Sequence, residues 1–341
     1  MSALRRECVR RDIAEAPRLG FVGTGWIGCA RLQSLVESGA GRVSAIFDPI
    51  RERAEDASKF APGAQLLYSF DDLLAMDLDG VVIATPSALH ADQSIAALER
   101  GFAVFCQKPL ARNAAEAGRV VDAARNSDRL LALDVCYRYT DAVAKMSDYA
   151  RNGALGSIYA ADLTFHNAYG PDKDWCYARE LAGGGCVVDL GIHLVDLALW
   201  MLDWPKINSV ESSCYCQGKP LSVPHTTVED YAVASIHLDS GAVVRLACSW
   251  KLPTIFDAVI TAKFYGTEGG VEFYNEGGSF YDFTSLYIGG RNRTTLSSPP
   301  DRWGGRALIA WARQLSRSPS YDPACERLLD VARVLDAIYK G

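Results

Sequence analysis

The sequence lacks several features that would assign it to a specialised class of protein. It has no internal repeat and no low-complexity segment, and no apolar run is predicted to span a bilayer. Its ten cysteines include no Cys-x-x-Cys pair of the kind that binds zinc. Scattered, reduced thiols indicate a cytoplasmic protein, and we expect no membrane partner.

An excess of positive charge is also missing. The formal net charge of −6 argues against nucleic acid or an anionic membrane surface as the main partner. Four arginines lie near the N-terminus, but no apolar segment of an export signal follows them. We expect residues 1–17 to form a solvated or weakly attached tail. A chain of 341 residues favours two domains beyond that tail.

The first predicted domain covers residues 18–138. Apolar, β-branched runs alternate there with amphipathic stretches, a pattern typical of βαβ units. It predicts an α/β domain with a doubly wound parallel sheet, in which ligands bind beyond the carboxyl ends of the strands. The predicted strands are 19–22, 43–47, 65–68, 81–84, 103–106 and 130–135, and the predicted helices are 26–38, 90–100 and 114–125.

The second predicted domain covers residues 139–341. Successive strands joined by short turns predict a large, mostly antiparallel open sheet in an α/β domain. The predicted strands are 159–166, 209–216, 231–237, 243–252, 258–265 and 270–274. The predicted helices are 140–152, one that carries His193, 306–317 and 323–339.

A glycine fingerprint directly follows the first predicted strand. Gly23, Gly25 and Gly28 have the spacing Gly-x-Gly-x-x-Gly, and Asp48 ends the second strand twenty residues later. Such glycines allow a tight turn, a close approach to a pyrophosphate and close helix packing, and the acid binds a ribose 2′-hydroxyl. The pattern predicts NAD as the cofactor, with NADP as the alternative because arginines follow Asp48. Two further residues of this loop are candidate cofactor contacts or packing residues: Trp26 and Ile27.

Two other predicted strand ends face the same cleft. Thr85 and Pro86 follow the fourth strand and would line the cofactor groove; His90 either joins them or only begins the next helix. Gln107 and Lys108 end the fifth strand, before a proline that permits a cis bond. An ammonium at this point would stabilise alkoxide charge on a substrate and hold the nicotinamide ribose.

A glycine-rich turn, residues 183–185, leads to a second constellation on a predicted helix. Asp189 and His193 are four residues apart and therefore share a helix face, with Asp196 near the same stripe. His193 is a candidate base near neutral pH, and Asp189 would orient its ring or hold a substrate hydroxyl. A metal site built from these three residues is a weaker alternative, and we predict no metal.

Further candidate substrate contacts lie around the domain junction. Arg138 follows the sixth strand and either contacts substrate or ties the domains together. The segment 166–180 is rich in polar and aromatic side chains, which suit a polyhydroxylated ring. Its candidate contacts are Asn167, Trp175 and Arg179.

From about Arg18 to the C-terminus, these motifs in this order resemble the glucose–fructose oxidoreductase / inositol dehydrogenase (Gfo/Idh/MocA) family. The resemblance implies a Rossmann domain, then an α/β domain whose open sheet often forms an oligomer interface. It implies that Lys108 is the active-site lysine, with Asp189 the substrate-side acid and His193 the proton-transfer histidine. Gln107 departs from the glutamate usual in this family and removes a negative charge beside Lys108.

We therefore expect NAD(P)-dependent oxidation of a secondary alcohol on a sugar, cyclitol or related polyol by a cytoplasmic homo-oligomer, a dimer or tetramer. One alternative is a cofactor-binding regulatory or sensor protein without turnover. Another is a reductase of keto-sugars, including nucleotide-linked ones, that works in the opposite direction.

Overall fold

The computed structural model describes residues 16–223 and 227–340. The predicted tail, residues 1–17, lies almost wholly outside the described residues. Two sheets organise the described chain, one of six strands and one of nine.

The six-stranded sheet confirms the doubly wound parallel domain. Its strands are β1 (Arg18–Val22), β2 (Arg42–Phe47), β3 (Gln65–Leu66), β4 (Gly80–Ile83), β5 (Ala103–Cys106) and β6 (Leu131–Leu133). They are parallel and lie in the order β3-β2-β1-β4-β5-β6, with β4 and β5 buried at every residue. The third and sixth strands are shorter than predicted. The order reverses between β1 and β4, which places a ligand crevice at the carboxyl ends of these central strands.

Helices cover both faces of this sheet. One face packs against α1 (Trp26–Ser38) and α2 (Arg51–Ser58), and the other against α3 (Phe70–Leu74), α4 (Ser87–Glu99) and α5 (Ala114–Ser127). The helix α1 begins directly at the glycine turn because Gly25 is its N-cap residue. This arrangement aims the N-terminus of α1 at the crevice.

The nine-stranded sheet is antiparallel except for one pair, β7 with β11. Its order is β15-β14-β13-β12-β7-β11-β10-β8-β9, with bounds β7 Ile158–Asn167, β8 Ile207–Cys216, β9 Lys219–Pro220, β10 Tyr231–Leu238, β11 Val243–Ser249, β12 Ala258–Gly266, β13 Gly270–Asn275, β14 Phe283–Gly289 and β15 Asn292–Ser297. Strands β9, β14 and β15 were not predicted, and β11 ends three residues earlier than predicted. The central strands alternate between buried and partly exposed residues, so one face packs inward and the other is open.

The remaining helices are α6 (Asp141–Arg151), α7 (Arg179–Ala182), α8 (Ile192–Met201), α9 (Arg306–Arg317) and α10 (Arg327–Ile338). Side chains of α6, α8 and α10 share one core with the inner face of the nine-stranded sheet. The helix α9 instead returns to the first sheet, where Trp311 packs against Phe105. The predicted division at residue 138 therefore separates the two sheets but not the two cores.

One helical stretch, Arg179–Met201, is long and apolar enough to cross a membrane by length and composition, which the sequence interpretation had not anticipated. Its most apolar window is 78% buried inside the fold. The stretch is a core element that carries Asp189 and His193.

Candidate active site

The glycine turn has the geometry that its spacing predicts. Gly23 has a φ of +84°, and a Cβ there would lie 2.6 Å from the carbonyl oxygen of Ala84. A Cβ on Gly28 would collide with the carbonyl oxygen of Gly23, so the turn and α1 touch. A Cβ on Gly25 would meet no protein atom within 4 Å, which leaves room for a ligand at the start of α1. Trp26 is 70% exposed beside that opening, whereas the next residue, Ile27, is partly buried.

Asp48 is bound to this turn. Its Oδ2 accepts from the backbone N–H of Thr24 at 2.7 Å and from the Thr24 hydroxyl at 3.3 Å. Its Oδ1 accepts from the N–H of Ile50 at 2.9 Å. An ionised carboxylate has about four lone-pair sites, so one direction is left for a further donor.

His90 lies behind the expected cofactor groove. It is 1% exposed, and its two ring nitrogens lie 2.6 Å from the carbonyl oxygen of Pro109 and 2.7 Å from that of Thr85. Burial lowers the pKa of its imidazole. His90 therefore connects the segments after β4 and β5, and any influence on a cofactor passes through Thr85, Pro86 and Pro109.

Lys108 and Asp189 are the two predicted residues that the fold brings into direct contact. The Lys108 ammonium donates to Asp189 Oδ1 at 2.6 Å and to its main-chain oxygen at 2.6 Å. The Lys108–Pro109 peptide bond is cis. The two side chains are 21% and 37% exposed, so both are within reach of a bound molecule.

Trp250, just beyond β11, supplies the other partner of Asp189. Its indole N–H donates to Asp189 Oδ2 at 3.0 Å, so each carboxylate oxygen has its own donor. Burial raises the pKa of Asp189, but the Lys108 ammonium and the Trp250 N–H outweigh burial and hold it below its usual value. Asp189 is therefore an anion that fixes the position of Lys108.

His193 lies four residues after Asp189, and the two side chains interact electrostatically. Asp189 belongs to a π-helical turn, Val187–Gly191, that directly precedes α8, the helix that carries His193. The Asp189 carboxylate binds Lys108 and Trp250, and its predicted role, to orient the His193 ring or to hold a substrate hydroxyl, stays a prediction. The imidazole packs against the rings of Tyr137 and Phe165, with centroid distances of 4.9 and 6.2 Å.

The charge state of His193 follows from its surroundings. Burial, then the Lys108 ammonium, lower the pKa of its imidazole to about 3, while Asp189 acts in the opposite direction. His193 is consequently neutral at ordinary pH and has a free lone pair for a proton.

The glycines before Asp189 are closely packed, and two of them, Gly184 and Gly185, also line a cavity beside Asp189. A Cβ on Gly184 would collide with the Tyr339 hydroxyl, and one on Gly185 with the carbonyl oxygen of Glu229. The Glu229 carboxylate, fully buried, accepts from the backbone N–H groups of Gly185 at 3.0 Å and Val187 at 2.8 Å. It thereby anchors the start of the helix that carries the site.

Arg138, at the end of the first predicted domain, binds Asp196 of α8 in the second. Its guanidinium donates to both carboxylate oxygens of Asp196, with 2.7 Å between Nε and Oδ2, and lies 5.0 Å from the Trp204 ring. This favours the structural alternative for Arg138 over substrate contact. The same contact accounts for the position of Asp196. The described part of the chain holds no group of three or more His, Cys, Asp or Glu side chains that could bind a metal ion.

A small cavity of about 70 Å³ opens beside the Lys108–Asp189 pair. Its lining includes Ser87, Lys108, Trp175, Asp189 and Trp250. The predicted contact Trp175 therefore reaches the site. Two other predicted contacts, Asn167 and Arg179, are not among its lining residues, although Asn167 Oδ1 and one Arg179 nitrogen are buried without a hydrogen-bond partner.

A second network behind Lys108 was missed by the sequence interpretation. Gln107 donates to Asp134 Oδ2, and Arg31 Nε donates to the same oxygen at 2.6 Å. All three side chains are at most 8% exposed. Trp250, Glu229 and Thr24 were missed as well. The one available signal was position, since Asp134 and Trp250 directly follow β6 and β11, as Gln107 directly follows β5.

Two family models match the chain. Residues 17–135 match the oxidoreductase family with an NAD-binding Rossmann fold, and residues 143–272 match the GFO/IDH/MocA C-terminal domain. Together the two matches span most of the chain, with residues 136–142 between them.

Curated relatives include dehydrogenases of sugars and cyclitols. D-glucoside 3-dehydrogenase of Escherichia coli is 29% identical over 59% of this chain and 60% of its own length. Levoglucosan dehydrogenase of Pseudarthrobacter phenanthrenivorans is 26% identical over 76% of this chain and 73% of its own length. Inositol 2-dehydrogenase of Corynebacterium glutamicum is 23% identical over 86% and 91%. The chain thus spans less than two thirds of the first of these relatives.

Solved structures share the whole architecture. GenD2 from gentamicin A biosynthesis, in complex with NAD, has a TM-score of 0.77 at 25% identity, covering 97% of this chain and 95% of that one. Levoglucosan dehydrogenase in complex with NADH has a TM-score of 0.80 at 22% identity, covering 95% and 96%. The order of the two domains, their sheets and the matched models agree, and the chain belongs to the GFO/IDH/MocA family of oxidoreductases.

Proposed function

We propose that this protein is an NAD-dependent dehydrogenase that oxidises a secondary alcohol on a sugar, cyclitol or related polyol. The observation that carries the proposal is the Lys108 ammonium, held by Asp189 at the edge of a cavity beyond β5. The same edge of the sheet carries the glycine turn after β1, two strands away. A cofactor on that turn and a hydroxyl beside Lys108 would therefore meet.

The residues around the glycine turn fit a dinucleotide. The helix α1 has no side-chain N-cap and no acidic residue in its first turn, so its terminal N–H groups are available to a pyrophosphate. Gly25 borders open space, and Asp48 retains an acceptor direction for a ribose hydroxyl. Asp48 would repel a 2′-phosphate, which favours NAD over NADP. The nearby guanidinium of Arg51 lies over the Tyr68 ring at 4.9 Å and donates to Glu55.

Side chains of this protein would stabilise the negative charge on the alcohol oxygen and accept the alcohol's proton. A bound nicotinamide supplies the hydride acceptor. Lys108 donates a hydrogen bond to the hydroxyl oxygen and stabilises the negative charge that develops there. His193, neutral and close to Asp189, accepts the hydroxyl proton. Asp189 and Trp250 keep the ammonium in place during this change.

A screen of polyols tests the proposal. Purified protein is mixed with NAD or NADP and a panel of sugars, anhydrosugars, glycosides and inositols, and absorbance of reduced nicotinamide is recorded. We expect turnover with at least one polyol and a preference for NAD. Binding of NAD without reduction by any polyol would instead support a sensor protein. Oxidation of NADH by keto-sugars, without the forward reaction, would identify a reductase.

We also propose that the protein is a cytoplasmic homo-oligomer that associates through the open face of the nine-stranded sheet. Small polar residues and paired charges cover this face; Arg245 binds Asp162 at 2.6 Å, and Lys263 lies 2.9 Å from Glu272. The described cysteines are all free thiols, which fits a reducing compartment. Light scattering after size exclusion would report a dimer or tetramer, and a monomer would contradict the association.

A further inference from the structure

The buried network of Arg31, Asp134 and Gln107 lies directly behind the proposed catalytic lysine. Asp134 follows β6 and Gln107 follows β5, and these strands are parallel neighbours in which Cys106 pairs with Leu133. The two side chains therefore extend from adjacent strand ends. Arg31 reaches them from α1, the helix that begins at the glycine turn.

The hydrogen bond to Asp134 restricts which side chains can occupy position 107. Asp134 Oδ2 receives both the Arg31 N–H and the Gln107 amide, and an ionised carboxylate can only accept. Position 107 must therefore present a donor. A carboxylate at that position would oppose the Asp134 carboxylate in a buried site, where two adjacent anions strongly disfavour each other.

We propose that Asp134 is a positioning residue for Lys108. In the pair formed by Asp134 and residue 107, Asp134 carries the negative charge and residue 107 must remain a neutral hydrogen-bond donor. This inference rests on the proposed function, because it assigns Lys108 to the reaction. One side chain, Asp134, joins the helix at the glycine turn to the residue preceding Lys108. The network thereby fixes the lysine relative to a cofactor on that turn. It also accounts for glutamine where the family usually has glutamate.

The neighbours of the network with shifted pKa values are held in one charge state near neutral pH. Arg31 has a raised pKa, because Asp134 outweighs burial. Burial raises the pKa of Cys106 and of Cys136 to about 12, and it raises that of Tyr139. Burial lowers the pKa of His193 to about 3. Lys108, on the same strand end, and Tyr281, which faces Arg31, complete the surroundings. A pH dependence introduced by an acid at position 107 would therefore reflect the titration of that acid.

The test is the variant Gln107→Glu, measured between pH 5 and 8. Burial and the Asp134 charge raise the pKa of the new carboxyl in the folded protein above its unfolded value of about 4.3. Its protonated form donates to Asp134 as the amide does, and this form prevails at low pH. Stability is lost as the pH rises from the unfolded to the folded pKa, and the positioning of Lys108 is lost as the pH passes the folded pKa and the proton leaves the folded carboxyl.

We expect Gln107→Glu to have a melting temperature and kcat close to those of the wild type at pH 5. By pH 8 we expect its kcat, relative to the wild type at the same pH, to fall about tenfold for each unit by which the pH exceeds the folded pKa. The melting temperature should fall as the pH rises from the unfolded to the folded pKa and should level off above the folded one. Gln107→Met, which has neither donor nor charge, should lose activity equally at every pH. In Gln107→Glu with Asp134→Asn, the pH-dependent loss should disappear because the opposing carboxylate is gone.

Gln33→Glu is a matched control. Gln33 also donates its amide to a carboxylate, that of Glu37 at 2.7 Å, but this pair is exposed on α1. Because water screens two exposed carboxylates, no pH-dependent loss is expected there.

Two results would overturn the inference. One is a melting temperature of Gln107→Glu that depends on pH in the same way as that of the wild type. The other is a loss confined to melting temperature while kcat keeps a constant ratio to the wild type, since Asp134 would then be structural only. If the wild type oxidises no polyol, the proposed function fails separately. The dissociation constant of NADH then replaces kcat as the functional measurement, with the same pH dependence expected.

Discussion

Two carboxylates of the site, Asp48 and Asp189, are held in different ways. Asp48 is 6% exposed and accepts from two backbone N–H groups, those of Thr24 and Ile50, and from the Thr24 hydroxyl. Asp189 has a side chain that is 37% exposed and accepts from two side chains, Lys108 and Trp250, that are 81 and 61 positions away.

The difference shows how each half of the site is formed. Backbone donors are fixed once the glycine turn and β2 have folded, so the cofactor half is organised locally. Side-chain donors from β5 and β11 meet Asp189 only when the two sheets pack together. Substitutions on the Asp189 side should therefore affect catalysis, whereas substitutions at Asp48 should affect the choice of cofactor.

The largest effect is expected for Lys108→Met. This change keeps the length of the side chain and removes the charge that stabilises a developing alkoxide, so kcat should fall about 10³-fold. Steady-state kinetics with the polyol found in the screen provide the measurement. Lys59→Met is the control, because Lys59 is an exposed lysine paired with Asp56 on α2. A Lys108→Met enzyme within a few-fold of the wild type would remove the lysine from the mechanism.

A smaller loss, about 10²-fold in kcat, is expected for His193→Ala if the imidazole accepts the hydroxyl proton. Since its pKa is about 3 in the folded protein, His193 should cause no change in the wild-type kcat profile near pH 6.5. A clear inflection at that pH would contradict the neutral assignment. His237→Ala, on the outer face of β10, serves as the histidine control.

The contrast between the two halves also explains which features could be predicted from the sequence. The glycine fingerprint and Asp48 were predicted because turn, helix start and acid lie within about thirty residues of chain. The parallel sheet was predicted because its strands are continuously apolar. By contrast, Trp250 and Asp134 act on partners 61 and 103 positions away, Asp189 and Arg31, and no local pattern encodes such contacts.

The errors have equally specific causes. A single regular helix was predicted to carry Asp189 and His193, whereas the structure has a π-helical turn, Val187–Gly191, before α8. Strand β15 was missed because four of its six residues are exposed, so no apolar alternation marks it. The helix α9 was assigned to the second domain by its place in the chain, although its apolar face completes the first core.

Asp48→Asn tests the cofactor half. The amide keeps an acceptor but loses the charge that would repel a 2′-phosphate, so the preference for NAD over NADP in kcat/KM should fall at least about tenfold, since two charges 4 Å apart interact by about 1 kcal/mol in bulk water and about 4 kcal/mol near a protein surface. The kcat with saturating NAD should stay within about threefold of the wild type if this half acts in binding alone. Asp56→Asn, on the exposed side of α2, is the control. An unchanged preference would show that Asp48 serves only the turn.

Trp250→Phe should lower kcat by less than Lys108→Met or His193→Ala, and it tests whether Asp189 needs both of its hydrogen-bond donors. Phenylalanine keeps most of the ring but removes the N–H that binds Asp189 Oδ2, while Lys108 still binds Oδ1. Hydrogen bonds to charged groups contribute about 1.5–3 kcal/mol, and partial loss of that contribution predicts a kcat about tenfold lower. Removing this donor also raises the pKa of Asp189, so any acid limb of the kcat profile should move to higher pH.

Trp311→Phe makes the same change of ring at a site without that hydrogen bond. Trp311 is 2% exposed, packs on Phe105, and has an indole nitrogen without a hydrogen-bond partner. Both variants should lose similar packing stability, but only Trp250→Phe should alter kcat and its pH profile. Equal kinetic losses in the two variants would mean that Trp250 supports the fold alone. Asp189 would then depend on Lys108 alone for its position, and the substrate half would be less organised than the geometry indicates.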